Sequence, residues 1–185
     1  MDPLWIDFVN SDWHDPVGRE PHRDLLADAA WLRGFLDERG LPRVDTRRRE
    51  VQDAVRDLRD LFQRLVRTLV ERGRLAAADL DAVNAYLAAR PVTGRIEIAG
   101  DACRVRLVPM ARGLDAVLLA LVESFAAFLV EGDSERLKLC GNPDCRWVFY
   151  DSTRSRTRRW CADSCGNLMK VRKFRKKKTP RHRRS

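Results

Sequence analysis

From His22 to Gly73 apolar residues recur among charged ones with a period close to 3.6, which predicts two amphipathic helices. In "HRDLLADAAWLRGFLDERG", Leu25, Ala29, Leu32 and Leu36 share a face, and Gly40 stands where a C-terminal cap belongs. "DTRRREVQDAVRDLRDLFQRLVRTLVERG" extends the pattern over a longer span. Val51, Val55, Leu58, Phe62, Leu65 and Leu69 form one stripe, Arg, Asp and Glu fill the other face, and Gly73 ends it. The Arg47-Arg48-Arg49 run reads as the solvated first turn of this helix. A shorter helix fits "AADLDAVNAYLAAR", with Leu80, Val83 and Leu87 on one side and Pro91 as a stop.

The period then drops to two. "GRIEIAGDACRVRLVP" alternates Ile96 and Ile98 on one run with Val105 and Leu107 on the next, around a Gly100-Asp101 turn, and so predicts a β-hairpin. Cys103, alone within the second strand, reads as a small core hydrophobe. "GLDAVLLALVESFAAFLVEG" is apolar over most of its circumference, which suits a helix buried against the others. The expected fold is mainly α with one small β-hairpin, an α+β domain over residues 1–132, followed by a small module at 135–178 and a basic tail at 179–185.

Composition supports two units of unequal size: 185 residues with 44% apolar side chains suffice for one ordinary core plus a small module that needs a staple. "MDPLWIDFVN" has no basic flank ahead of an apolar run, and "AVLLALV" is too short to span a bilayer, so we expect a cytoplasmic protein with no membrane partner. The net charge of +9 hides an asymmetry. Residues 136–185 carry 17 Lys+Arg against 3 Asp+Glu, a net +14, while the residues before them carry 19 against 24, a net −5. One end of the chain therefore suits a polyanionic partner.

That end also holds four of the five cysteines. Cys140 and Cys145 bracket "GNPD", a tight-turn sequence able to bring two thiolates onto one ion. Cys161 and Cys165 are spaced i, i+4, on one face of a helix starting near Cys161, whose positive N-terminal dipole favours thiolates. Four thiolates fit one tetrahedral structural zinc with no open position; iron-sulfur ligation and redox disulfides are the rival readings. A zinc hydrolase is disfavoured, because it needs an open position and a general base. "RWVFYD" and "RTRRW" suit the arms of a short hairpin, with Trp147, Phe149 and Trp160 shielding the metal, and "knuckle, hairpin, helix" is a treble-clef-like order.

After Cys165, "GNLMKVRKFRKKK" predicts a cationic helix with Leu168, Val171 and Phe174 toward the metal module. Lys170, Arg172, Lys173, Arg175, Lys176, Lys177 and Lys178 turn outward as candidate phosphate contacts. Arg154, Arg156, Arg158 and Arg159, in the loop between the cysteine pairs, are the candidates for reading base edges. Nearer the N-terminus, Asp7, Asn10, Asp12, His14 and Asp15 read as turn and cap residues, and His14 and His22 lack the i, i+4 partner of a helical metal site. Nothing in the helical part demands a catalytic reading.

"CGNPDCRWVFYDSTRSRTRRWCADSCGN" followed by "KVRKFRKKK" resembles the CGNR zinc finger, and "IDFVNS", "DLLADAAWLRGFLDERGL" and the arginine-rich helix resemble the ABATE domain that precedes this finger in bacterial proteins described as stress-induced transcription regulators. The resemblance implies one zinc at Cys140, Cys145, Cys161 and Cys165, and DNA binding by the surrounding basic surface. Leu168 stands where the finger motif has its arginine, so any contact made by that side chain is absent or is supplied by a neighbour such as Arg172. The expected protein is a non-enzymatic, zinc-dependent DNA-binding regulator whose N-terminal domain senses an effector or mediates association, as in a homodimer. Binding to RNA, as a ribosome-associated protein, is the alternative, since charge alone does not separate the two.

Overall fold

The computed structural model describes residues 4–178; the basic tail at 179–185 lies outside the described residues, as do the side chains of Lys177 and Lys178. The order is α1 (Leu4–Val9), β1 (Asp12–Trp13), β2 (Arg23–Asp24), α2 (Ala29–Glu38), α3 (Arg49–Arg72), α4 (Ala77–Ala88), β3 (Val92–Ala99), β4 (Ala102–Pro109), α5 (Leu114–Glu131), β5 (Leu137–Leu139), β6 (Val148–Tyr150) and α6 (Asp163–Lys178). The strands form three separate antiparallel pairs, β1–β2, β3–β4 and β5–β6. The fold is thus mainly helical with small strand pairs and a C-terminal cysteine cluster. No helix among the described residues is long and apolar enough to cross a membrane.

The six stripe residues of α3 are all buried; α1, α5 and the turn at Leu25–Ala27 pack on this central helix, and Leu32, Phe35 and Leu36 of α2 join the same core. Trp5, Phe8, Phe62 and Phe125 form its aromatic centre: Phe62 stacks on Phe125 with centroids 4.5 Å apart, and Trp5 meets Phe125 edge-on at 5.0 Å. Gly73 ends α3 with φ of +72°, a left-handed cap that glycine adopts without a Cβ penalty. α2 begins later than the sequence suggests. Asp28 accepts hydrogen bonds from the backbone N–H groups of Ala30 and Trp31, so the preceding turn is a separate 3-10 segment that buries Leu26 in place of Leu25. In α4, Val83 is buried but Leu80 is exposed, because only one edge of this helix meets α5.

β3 and β4 pair over eight residues each in the expected register, with Ile96 opposite Val105 and Ile98 opposite Cys103. The expected burial is absent. Ile96 and Ile98 are 73% and 83% exposed, Val105 and Leu107 lie open beside them, and Cys103 is exposed rather than a core residue. Alternation sets which side chains share a face, and whether that face is covered depends on a partner that the hairpin does not have among the described residues.

The C-terminal hairpin also differs from expectation. "RWVFYD" pairs, but with Leu137–Leu139 ahead of the first cysteine, so the Cys140–Cys145 knuckle is the loop of the β5–β6 hairpin. "RTRRW" forms no strand. Its course is fixed instead by Asp151, a buried carboxylate that accepts hydrogen bonds from the N–H groups of Thr153 and Arg158, and by Gly141, whose N–H donates to the Arg159 carbonyl. The physical reason lies in burial: Leu137 and Val148 join the same core as α1 and α3, an outlet that the polar residues 151–159 cannot offer.

Candidate metal centre and nucleic-acid face

The four thiols of Cys140, Cys145, Cys161 and Cys165 come together with every sulfur within 4.8 Å of the others. Cys145 and Cys161 stand 3.6 Å apart, and Cys161 and Cys165 3.7 Å. A zinc bound to four sulfurs at about 2.3 Å requires sulfur–sulfur edges of about 3.8 Å, so the donor set has the size of a ZnS4 tetrahedron. The knuckle supplies one pair. The other comes from the residue two positions before α6 and from its first turn.

The electrostatics agree with a metal. Burial pushes the Cys145 and Cys161 thiols up; Cys140 and Cys161 add to the rise at Cys145, and at Cys161 a hydrogen bond with Cys145 opposes the rise while Cys140 and Cys165 add to it. At Cys140 burial acts in the same sense, but hydrogen bonds from the backbone N–H groups of Cys161 and Asn142 and from adjacent thiols outweigh it, and its pKa is lowered. The Cys140 thiolate is therefore favoured, and those of Cys145 and Cys161 are opposed until a cation stands among them. Trp147 and Trp160 pack around the sulfurs as expected; Phe149 is buried elsewhere, with the Arg158 guanidinium 5.1 Å over its ring.

Two glycines allow this packing. A Cβ on Gly141 would stand 3.0 Å from Trp160 Cζ3 and 3.1 Å from the Arg159 carbonyl, and one on Gly166 would stand 3.0 Å from Trp160 Cδ1. The indole is held between the Cys-Gly-Asn of the knuckle and the Cys-Gly-Asn of the helix. Each glycine is needed for closeness of approach.

The local sequence does not single out Asn142, yet this residue is fully buried and joins three parts of the molecule. Its Nδ2 donates to the Pro16 carbonyl at 2.8 Å and faces Cys165 Sγ at 3.8 Å, while Oδ1 accepts from the Asp144 N–H and from Arg172. Arg172 also donates to Asp144 Oδ2 at 2.5 Å and to the Val17 carbonyl at 3.0 Å. This guanidinium, one turn beyond Leu168, ties α6 to the knuckle and to the loop after β1. Asn10 makes a second tie, donating to the Val148 carbonyl at 2.9 Å and accepting from the Val148 N–H at 2.8 Å, like a neighbouring strand. A cavity of about 320 Å³, lined by Asn10, Asp12, Gln63, Arg67 and Arg146 among others, lies at this junction.

The basic residues divide sharply in their surroundings. Arg156 pairs with Asp133 and Glu135 at 3.1 and 3.0 Å, and Arg158 donates to the Trp160 carbonyl at 2.8 Å and to the Cys161 carbonyl. Arg159 lies over the Trp160 ring at 5.5 Å with its residue exposed, and Arg154 is exposed in the same loop. On α6, Lys170, Lys173, Arg175 and Lys176 are exposed and Arg172 is turned inward, against the expectation that it faces away. Helical spacing aims Val171 and Phe174 at the module. They are instead 47% and 58% exposed, while Arg172, between them in sequence, is the residue that reaches the knuckle.

Residues 2–132 match the ABATE family, described as "Putative stress-induced transcription regulator", and residues 136–178 match the CGNR zinc finger. No curated protein matches the chain. The chain belongs to the ABATE family and carries a CGNR zinc finger, and the family and the cysteine cluster together support one structural zinc ion.

Proposed function

We propose that this ABATE-family chain is a non-enzymatic, cytoplasmic transcriptional regulator that binds DNA through its zinc-held C-terminal module. The observation that carries this reading is the exposed lysine row of α6. Lys170, Lys173 and Lys176 recur every three residues along a helix whose first turn contributes a cysteine to the cluster. Thiolate ligation through that turn would give these charges a fixed position, so that phosphates meet a rigid cationic face rather than a solvated tail.

Affinity and specificity then divide. The α6 lysines, with Arg175, Lys177 and Lys178, meet phosphates, while Arg154 and Arg159 are the loop arginines placed to reach a base edge. Arg156 and Arg158 serve the loop itself, and Arg172 serves the seat of α6. The helical domain supplies effector sensing or association.

Competition between duplex DNA and a structured RNA of equal length, read by fluorescence anisotropy, tests the reading. Duplex DNA is expected to win at every salt concentration. Substituting Lys170, Lys173 and Lys176 by Gln is expected to weaken binding to all duplexes alike and to flatten the log–log salt slope by about 0.9 for each phosphate that is no longer neutralised. Preference for the RNA would transfer the module to the ribosome-associated alternative.

A further inference from the structure

The β1–β2 pair brings together side chains that are distant in sequence. Trp13 pairs with Arg23 and Asp12 with Asp24, so the same register continued one step places His14 opposite His22, and alternation puts Asp12 on the same face as His14. The side chains meet there. The two imidazoles stack with centroids 4.6 Å apart, His14 Nε2 lies 3.4 Å from Asp12 Oδ2, and His22 Nε2 contacts Asp12 Oδ1. The three donor atoms lie within 4.8 Å of one another.

We propose that Asp12, His14 and His22 form a second metal site, which binds a divalent transition-metal ion of the zinc, nickel or cobalt class in addition to the zinc of the finger. Two imidazole nitrogens and one carboxylate are the donor set such ions prefer, and tetrahedral bonds of about 2.0–2.2 Å need donor–donor separations of about 3.3–3.6 Å. His14 Nε2 and Asp12 Oδ2 already stand at that spacing, and His22 reaches it by a small retreat of a half-exposed ring. Gln63 Nε2 donates to Asp12 Oδ2 at 3.1 Å, the kind of outer contact that orients a ligating carboxylate.

The place of this cluster gives the ion a consequence. The loop between the two histidines, residues 15–21, carries the Pro16 and Val17 carbonyls that accept from Asn142 of the knuckle and Arg172 of α6. An ion held by both ends of the loop stiffens the surface on which the finger is seated. Metal occupancy is thereby linked to the setting of α6.

Calorimetric titration of the full chain with Zn2+, starting from protein that already holds one zinc, tests the proposal. A second equivalent is expected in the parent. In His14→Ala and His22→Ala its affinity falls at least about tenfold, with the first zinc retained as proof of folding, while His182→Ala, which removes the chain's third histidine, leaves it unchanged. Asp12→Asn lowers the affinity and Gln63→Ala lowers it less. Co2+ as the second equivalent adds no thiolate-to-metal absorption in the near ultraviolet. A stoichiometry of one, a second equivalent that survives both histidine substitutions, or thiolate absorption growing with the second cobalt, which would assign it to Cys103 or the finger, overturns the proposal.

Discussion

The β3–β4 and β5–β6 hairpins obey opposite rules. The first has eight-residue strands, a full antiparallel register and a clean alternation, and its apolar face of Ile96, Ile98, Val105 and Leu107 lies in water. The second has three-residue strands, too short to be stable alone, yet Leu137, Val148 and Phe149 are buried. What separates them is attachment. β5–β6 is built into the helical core through Leu137 and Val148, is paired along one side by Asn10, and carries the metal knuckle in its loop. Local pattern fixes register while tertiary contact fixes burial, and β5–β6 is thereby the joint between an apolar core and a metal-held module.

Substitutions at the joint test this difference. Leu137→Ala carries the largest expected effect, a loss of about 2–5 kcal/mol on removal of a fully buried leucine from the shared core. Because this residue serves both parts, urea unfolding followed by helical circular dichroism and by Trp147 and Trp160 fluorescence should shift together. Separate midpoints would show that the joint does not couple them.

Asn10→Ala comes next. It strips Val148 of both side-chain partners and leaves a buried N–H and C=O unpaired, which costs about 1–3 kcal/mol. Asn10→Asp keeps the acceptor for the Val148 N–H but sets a carboxylate against its carbonyl, so it should recover little of the loss. Denaturant midpoints rank the three proteins, and equal stability of Asn10→Ala and parent would remove Asn10 from the joint.

Ile98→Thr and Cys103→Ser mark the other extreme. Both lie on the open face of β3–β4, and each should change stability by less than about 0.5 kcal/mol in the monomer. A loss of several kcal/mol, dependent on protein concentration, would show that a second copy covers this face in solution.

These contrasts explain how much the sequence made legible. The α3 stripe could be read because a helix buried along one side writes its environment into a 3.6-residue period, and the cysteine spacing could be read because two chelating turns need few residues to form. Burial of β3–β4 could not, since the alternation is the same whether the apolar face meets a core or solvent. The same limit explains Val171 and Phe174, whose helical spacing says nothing about which side of α6 is covered. The contacts of Asn10, Asn142 and Arg172 are hidden for another reason: their partners Val148, Pro16 and Val17 lie 138, 126 and 155 residues away, and no local period encodes a single polar side chain meeting a distant backbone group. His14 and His22 fell between the two cases, because their meeting follows from a two-residue strand pair too short to announce itself.

If zinc holds α6 as a nucleic-acid-binding element on a core that stands without it, removing the metal should release the one and spare the other. Hydrogen exchange across the whole chain, before and after zinc is removed by a chelator, with duplex DNA binding followed on the same samples, tests it most directly. Protection should vanish from 140–147 and 160–178 and DNA binding should be abolished, while α3, α5 and the buried strands β5 and β6 remain protected. Undiminished protection of α6 and undiminished DNA binding in the metal-free protein would contradict it.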